Sequence, residues 1–284
     1  MKRTAIAAAV WATLAAAGVW AQPDEVTLRL RREPGQVLRY RAKVSGIGDI
    51  TMLDEEQRVT VRGRFIRVER TLSQAGPGTW EVRVTIEEPT LTLGSGGKRE
   101  TLTMQVPPLT QVVNDRGRVL EIRGWEPQEA AVAAPGMGEA VRPLFGLIQE
   151  QGLPERPLKP GDEWTARAKL KMPDGADLEV PQRFELVGFE DVAGVTCAKL
   201  RSTSDIPVRR ELPPNAIGMR ILVEGTERIE TTSLLAHEQG KLLRQETAIT
   251  LDLETSTVLT PEAPDRVVPG AISLRVSVTL ELER

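Results

Sequence analysis

The chain of 284 residues has one cysteine, one histidine and one tyrosine. A single cysteine excludes an intrachain disulfide framework. Taken with the single histidine, it also excludes zinc fingers, His-rich metal sites and Cys–Cys redox pairs. Aromatic residues make up only 4% of the chain, so the stacked platforms that sugar binding wants are scarce. Neither sign of charge dominates: 37 Lys+Arg against 40 Asp+Glu leave a net charge of -3, which gives no basic footprint for nucleic acid. Beyond the N terminus no apolar run is long enough to span a bilayer as a helix. What remains is a 40% apolar fraction, enough for a buried core.

The one long apolar run reads as a secretory signal peptide over residues 1–21. Lys2 and Arg3 form the positive region, an Ala-rich stretch follows from Thr4 to Trp20, and Val19-Trp20-Ala21 fits the small-residue cleavage pattern, leaving Gln22 at the mature N terminus. A retained anchor is the alternative. The expected location is periplasmic or extracellular. A lone thiol, Cys197, is tolerable there because nothing in the chain can pair with it.

Period-two alternation dominates the rest. Leu38, Tyr40, Ala42 and Val44 alternate with Arg39, Arg41 and Lys43. Trp80, Val82, Val84 and Ile86 alternate with Glu81, Arg83 and Thr85, and Trp164 and Ala166 with Thr165 and Arg167. Ile272 to Leu282 is the cleanest case. Strands with one apolar and one polar face predict antiparallel sheet. The phase slips between Phe65 and Ile66, which predicts a β-bulge. About a dozen strands fit the pattern, and an open sheet of that size curls, splits or closes. One stretch differs: Val141, Leu144, Phe145 and Ile148 recur at helical spacing between Gly138 and Gln151, with Pro143 suited to a first turn and Gly152 to a C-cap. This predicts one amphipathic helix, for which the concave face of a curved sheet is the natural partner.

Residues 34–44 (PGQVLRYRAKV) resemble residues 160–170 (PGDEWTARAKL), with five of eleven positions identical. Arg64-Phe65 echoes Arg183-Phe184, Gly78 to Val84 echoes Gly194 to Leu200, and Gly117 to Leu120 echoes Gly240 to Leu243. The expectation is two similar β-meanders of about 90 residues each, with convergent strand composition as the alternative. The division is then a first half at 22–126, a helix and Pro-rich connector at 127–160, and a second half at 161–284. Pro154, Pro157 and Pro160 make the connector stiff and extended; a polyproline ligand is the functional alternative. Outward arginines of the first half (Arg29, Arg31, Arg39, Arg41, Arg62, Arg64) read as solvated strand faces or as a surface for an anionic partner.

Catalytic context is thin. His237 precedes the Gln239-Gly240 turn, and no Gly-x-Ser-x-Gly elbow supplies a nucleophile for it. Cys197 falls in a strand, where a free cysteine acts as a small buried hydrophobe. Adjacent acids such as Glu55-Glu56, Glu87-Glu88 and Asp162-Glu163 point to opposite faces of a strand and make no carboxylate dyad. Asp252 and Glu254 share a face but lack a calcium-loop spacing. Gly94 to Lys98 lacks the full phosphate-loop pattern.

Curved meanders with a helix between the halves resemble the lipoprotein-carrier half-barrels of bacterial envelopes. The segment Leu153–Trp164, with Gly194–Leu200, is also similar to uncharacterised secreted bacterial β-proteins. The resemblance to the carriers implies a strongly bent sheet over an apolar cavity. The expected fold is therefore mainly β: a large curved antiparallel sheet, half-barrel-like, of two similar meanders with one amphipathic helix packed on the concave face. The expected function is non-enzymatic. An apolar or lipid-like ligand, or an envelope protein, is the expected partner, with no cofactor, metal or nucleic acid. Trp80, Val82, Val141, Phe145, Ile148, Trp164 and Ala166 are the candidate lining. A structural or protein-interaction module with a filled core is the second reading, and a hydrolase built around His237 the third.

Overall fold

Alternating strands can bury their apolar rows only by lying side by side with all rows on one face, and the chain does this from end to end. The computed structural model describes residues 24–52, 55–103, 106–124, 152–171, 177–212, 220–258 and 267–283. Twelve strands occur among them: β1 (Val37–Met52), β2 (Glu55–Gly76), β3 (Thr79–Ser95), β4 (Lys98–Thr103), β5 (Leu109–Asn114), β6 (Val119–Arg123), β7 (Glu163–Lys171), β8 (Asp177–Val192), β9 (Val195–Leu212), β10 (Arg220–Ala236), β11 (Lys241–Val258) and β12 (Val267–Leu282). They form one antiparallel sheet in the order β6-β5-β3-β2-β1-β12-β11-β10-β9-β8-β7, with β4 and β5 sharing the outer side of β3. The edge strands β6 and β7 do not pair with each other, so the ladder is not closed.

The expected fold needs correction on its helix. Among the described residues there is no helix, and the segment Gly138–Gln151, with Val141, Phe145 and Ile148, lies outside them. In the described part, extended chain packs on the apolar inner face of the second half. Val26, in the segment leading into β1, makes a two-bond bridge with Leu158 of the Pro-rich connector (2.8 and 2.9 Å). Leu28, Leu153 and Leu158, all fully buried, then pack on Leu186, Ala198, Leu200 and Leu235 from β8, β9 and β10. Extended segments with alternating leucines do here what an amphipathic helix was expected to do, because alternation presents an apolar edge just as helical spacing presents an apolar stripe.

The same two segments tie the free edges together at one end. Leu30 N donates to Asp115 O (2.7 Å) and Leu153 N to Arg116 O (3.0 Å), both in the β5–β6 turn, while Arg31 N donates to Gly240 O (2.9 Å) in the β10–β11 turn. On the far side Trp164 Nε1 of β7 donates to Gly152 O (2.9 Å). Gly152 was expected as a helix C-cap. It adopts φ +50° and lies so close to β7 that a Cβ there would sit 2.7 Å from Ala166 Cβ, a position only glycine fills without strain. One end of the sheet thus has a floor.

Pro34-Gly35 and Pro160-Gly161 occupy the corners of matching turns. Gln36 N bonds to Glu33 O and Asp162 N to Lys159 O, both at 2.9 Å, with glycine φ values of +82° and +88°. That is type II geometry, with proline presetting the first corner and glycine supplying the positive φ at the second. Gly35 N then bonds to Thr71 O and Gly161 N to Leu186 O, so the strands enter the sheet in the same way. The Arg-Phe pairs do not correspond: Phe184 faces Trp164, whereas Glu69, not Phe65, faces Leu38. β1 and β12 pair from Tyr40↔Leu282 to Met52↔Gly270, and this ladder joins the two meanders into one sheet.

Candidate functional site

The apolar inner face changes character along the strands. On β12 the inward residues Val276, Val278 and Leu280 are buried near the floor, whereas Val268, Ile272 and Leu274 toward the other end are half-buried. On β2 the inward row passes from buried Phe65 to half-buried Val61 and Val59, and on β1 from buried Val44 to half-buried Ile50. The second half differs in that Val223, Leu253, Thr255 and Thr257 stay buried. The core cluster follows the inner face from Leu91 on β3 through Tyr40, Val278, Ile249, Ile229 and Ile206 to Val180 on β8.

The candidate lining residues sit in two places. Trp80 and Val82 pack with Val84, Leu109, Val113 and Val119 on β3, β5 and β6. Trp164 packs with the leucine cluster of the connector, its ring stacked on Phe184 at 5.4 Å, and Ala166 is buried beside Gly152. The two groups belong to separate clusters near the opposite edges of the sheet. Val141, Phe145 and Ile148 lie outside the described residues.

The inner face also carries charge that the sequence reading did not place there. Between Ala42↔Phe65 and Leu38↔Glu69 the β1–β2 register runs without a break. Arg67, Glu69 and Thr71 therefore continue the inward row of Phe65, and Ile66 and Val68 face outward, half-buried. The predicted bulge does exist, but in the pairing of β2 with β3, between Arg64 and Ile66. Arg67 is 3% exposed and Glu69 1%. Arg67 Nε donates to Glu69 Oε1 (2.9 Å), and Arg32 Nη2, from the segment before β1, donates to Glu69 Oε2 (2.6 Å). Burial pulls the Arg67 guanidinium down from its ordinary value; for Arg32 burial is again the largest single influence and lowers it, but the charge of Glu69, Tyr40 and the Glu69 hydrogen bond together raise it on balance. Arginine stays charged in either case. Burial, and next the Glu69 charge, push the neighbouring Tyr40 phenol well up, so it remains protonated. The signal for this cluster was available: the phase slip at Phe65–Ile66 is the place where charged residues take the inward positions.

The lone histidine and cysteine are packed. His237, beside the β10–β11 turn, is half-buried: its ring meets Phe189 edge-on at 5.8 Å and its Nε2 is buried. Cys197 is fully buried with Leu234 and Ala236 on the face opposite the core row, its Sγ donating to Val195 O (3.4 Å). Burial first, then Asp191 and Glu190, raise its thiol pKa, which works against a thiolate nucleophile. The native protein is accordingly expected to resist Ellman's reagent and to release one thiol equivalent on unfolding in guanidinium; rapid labelling of the native form would contradict this placement. Among the described residues no three His, Cys, Asp or Glu side chains converge to hold a metal ion, and no helix is long and apolar enough to cross a membrane.

No family model matches the sequence, and no curated protein matches it. Among solved structures the chain is similar to lipovitellin, in a structure titled for lipid–protein interactions. The TM-score is 0.47 and the identity 11%, over 89% of this chain and 26% of that one.

Proposed function

We propose that this chain is an exported, non-enzymatic protein that holds an apolar, lipid-like ligand against the concave face of its sheet. The observation that carries the reading is the half-buried inward row of Val59, Val61, Ile272 and Leu274 continuing an otherwise buried apolar face. Apolar surface left to water costs roughly 25 cal/mol per Å², and a concave apolar surface with a few polar groups is the usual form of a small-molecule site. An acyl chain needs only such an aliphatic wall, which suits a protein poor in aromatics. The same reading takes the halves as copies of one meander, supported by their matching Pro-Gly turns. It takes residues 1–21 as a removable signal, supported by their charge and Ala-rich run.

The test is lipid extraction and mass spectrometry of protein purified from its native envelope, with N-terminal sequencing of the same sample. The expected result is a co-purifying lipid in stoichiometric amount and a chain beginning at Gln22. Repeated absence of lipid overturns the ligand, in favour of an interaction module with a filled core, and an intact residue 1–21 segment overturns the export.

A further inference from the structure

The outer face of the sheet carries a basic patch that nothing neutralises. Its centre is β1, where Lys43, Ser45 and Ile47 alternate with the inner row and are exposed. The ladders place Lys43 between Arg64 of β2 and Thr279 of β12, Ser45 between Arg62 and Ser277, and Ile47 between Thr60 and Arg275. Arg62, Arg64 and Arg275 are exposed as well. The next strands set hydroxyls against them: Thr90 and Thr92 of β3 oppose Arg64 and Arg62, and Thr250 of β11 opposes Arg275. None of these four basic side chains has an ion pair among the described residues. The acids on the diagonals are taken, since Glu281 pairs with Arg244 and Asp252 accepts from Ser273. Like charges directly across a ladder destabilise a sheet, and Lys43 opposite Arg64 carries that cost. Rows of Lys and Arg guard edge strands from pairing, but β1 and β2 are paired on both sides and need no guard. In the second half the outward Lys199, Arg201, Arg209, Arg228 and Arg244 each pair with a glutamate.

We infer that this patch docks the protein on an anionic membrane surface, Lys43, Arg62, Arg64 and Arg275 meeting lipid phosphates and Ile47 entering the headgroup layer. Charge complementarity carries the assignment. The basic groups lie side by side on the exposed face of adjacent strands, an arrangement that suits a plane of many anions. Peripheral membrane binding adds buried apolar area to the attraction between basic side chains and anionic lipids. Ile47, 44% exposed amid the four charges, supplies the apolar part. At physiological salt, charges more than about 8 Å away are largely screened, so the patch acts despite a net charge of -3 on the chain. The patch and the proposed ligand lie on opposite faces of the sheet, and either reading can fail alone.

The test is co-sedimentation of the protein, purified from its native envelope, with vesicles of phosphatidylcholine alone and of equal parts phosphatidylcholine and phosphatidylglycerol. Two double variants lose the same charge: Arg62→Gln with Arg64→Gln inside the patch, and Arg228→Gln with Arg244→Gln outside it. All four positions are exposed, so both variants are expected to fold. Each Lys or Arg near an anionic surface strengthens binding about fivefold, so the patch variant is expected to bind the anionic vesicles about tenfold or more weaker. The second variant should bind as the unmodified protein does, and phosphatidylcholine alone should retain none of the three. Residues 1–21, where retained, are common to all forms and leave the comparison intact. Equal binding by all three forms, or to both kinds of vesicle, overturns the patch as the contact. Binding to polyglutamate that the patch variant loses, with no binding to vesicles, overturns the membrane in favour of an acidic protein partner. No binding to either overturns the docking surface altogether.

Discussion

Glu69→Gln is expected to destabilise the protein by about 3–5 kcal/mol, the usual cost of removing one partner from a buried ion pair. The substitution is nearly isosteric, so the loss is one of charge. Glu69 lies between Arg67 and Arg32, and it and Arg67 are nearly inaccessible to water. Without the carboxylate two buried guanidinium groups face each other unpaired. A domain's whole stability is only about 5–15 kcal/mol, so the shift of the urea midpoint should be large. Glu230→Gln is the control. Its partner Arg228 is 2.8 Å away, but both side chains are more than half exposed, and such pairs are worth about 0–1 kcal/mol. Equal midpoints for the two variants would show that Glu69 is not the counter-charge of a desolvated cluster.

Leu28→Ala comes next, with an expected cost of about 2–5 kcal/mol. Leu28 is completely buried against the leucines of the connector and of β8 to β10. It also stands between two anchor points of its segment, the Val26–Leu158 bridge and the Leu30–Asp115 hydrogen bond. Truncation therefore leaves a cavity and loosens the strap that joins the two sheet edges. Limited proteolysis should show cleavage within residues 24–36 under conditions where the unmodified chain is intact. An unchanged midpoint together with an unchanged cleavage pattern would count against this segment as part of the floor.

The strands were legible because their burial is written locally, in alternation that needs no knowledge of partners. The inward row of β12 can be read from the sequence residue by residue. The two Pro-Gly turns were legible for the same reason, since proline and glycine fix their own dihedral angles. The floor was not legible. Val26, Leu28 and Leu30 alternate as a strand does, but their partners are two turns and a connector far along the chain, and nothing local separates such a strap from a ladder strand. The charged cluster was misread rather than invisible. The slip of hydrophobic phase predicts a bulge, and one is there. The bulge falls on the β3 side only, so along β1 the backbone keeps its phase and the charges go in. Trp80 and Trp164 were each read onto an inward-facing row, but their belonging to separate clusters follows from strand order, which places β3 and β7 near opposite edges and which alternation does not encode.

The β1–β12 ladder carries a cost in time. The strand that opens the sheet waits for the strand that ends it, with Tyr40 meeting Leu282. Pairings between such distant segments form slowly, because a long loop must close before any contact rewards it. Until that happens β1, 16 residues long, offers an unsatisfied edge to any other chain within reach. The seam that makes one sheet of two meanders is thus the step at which a half-finished molecule is most exposed to aggregation.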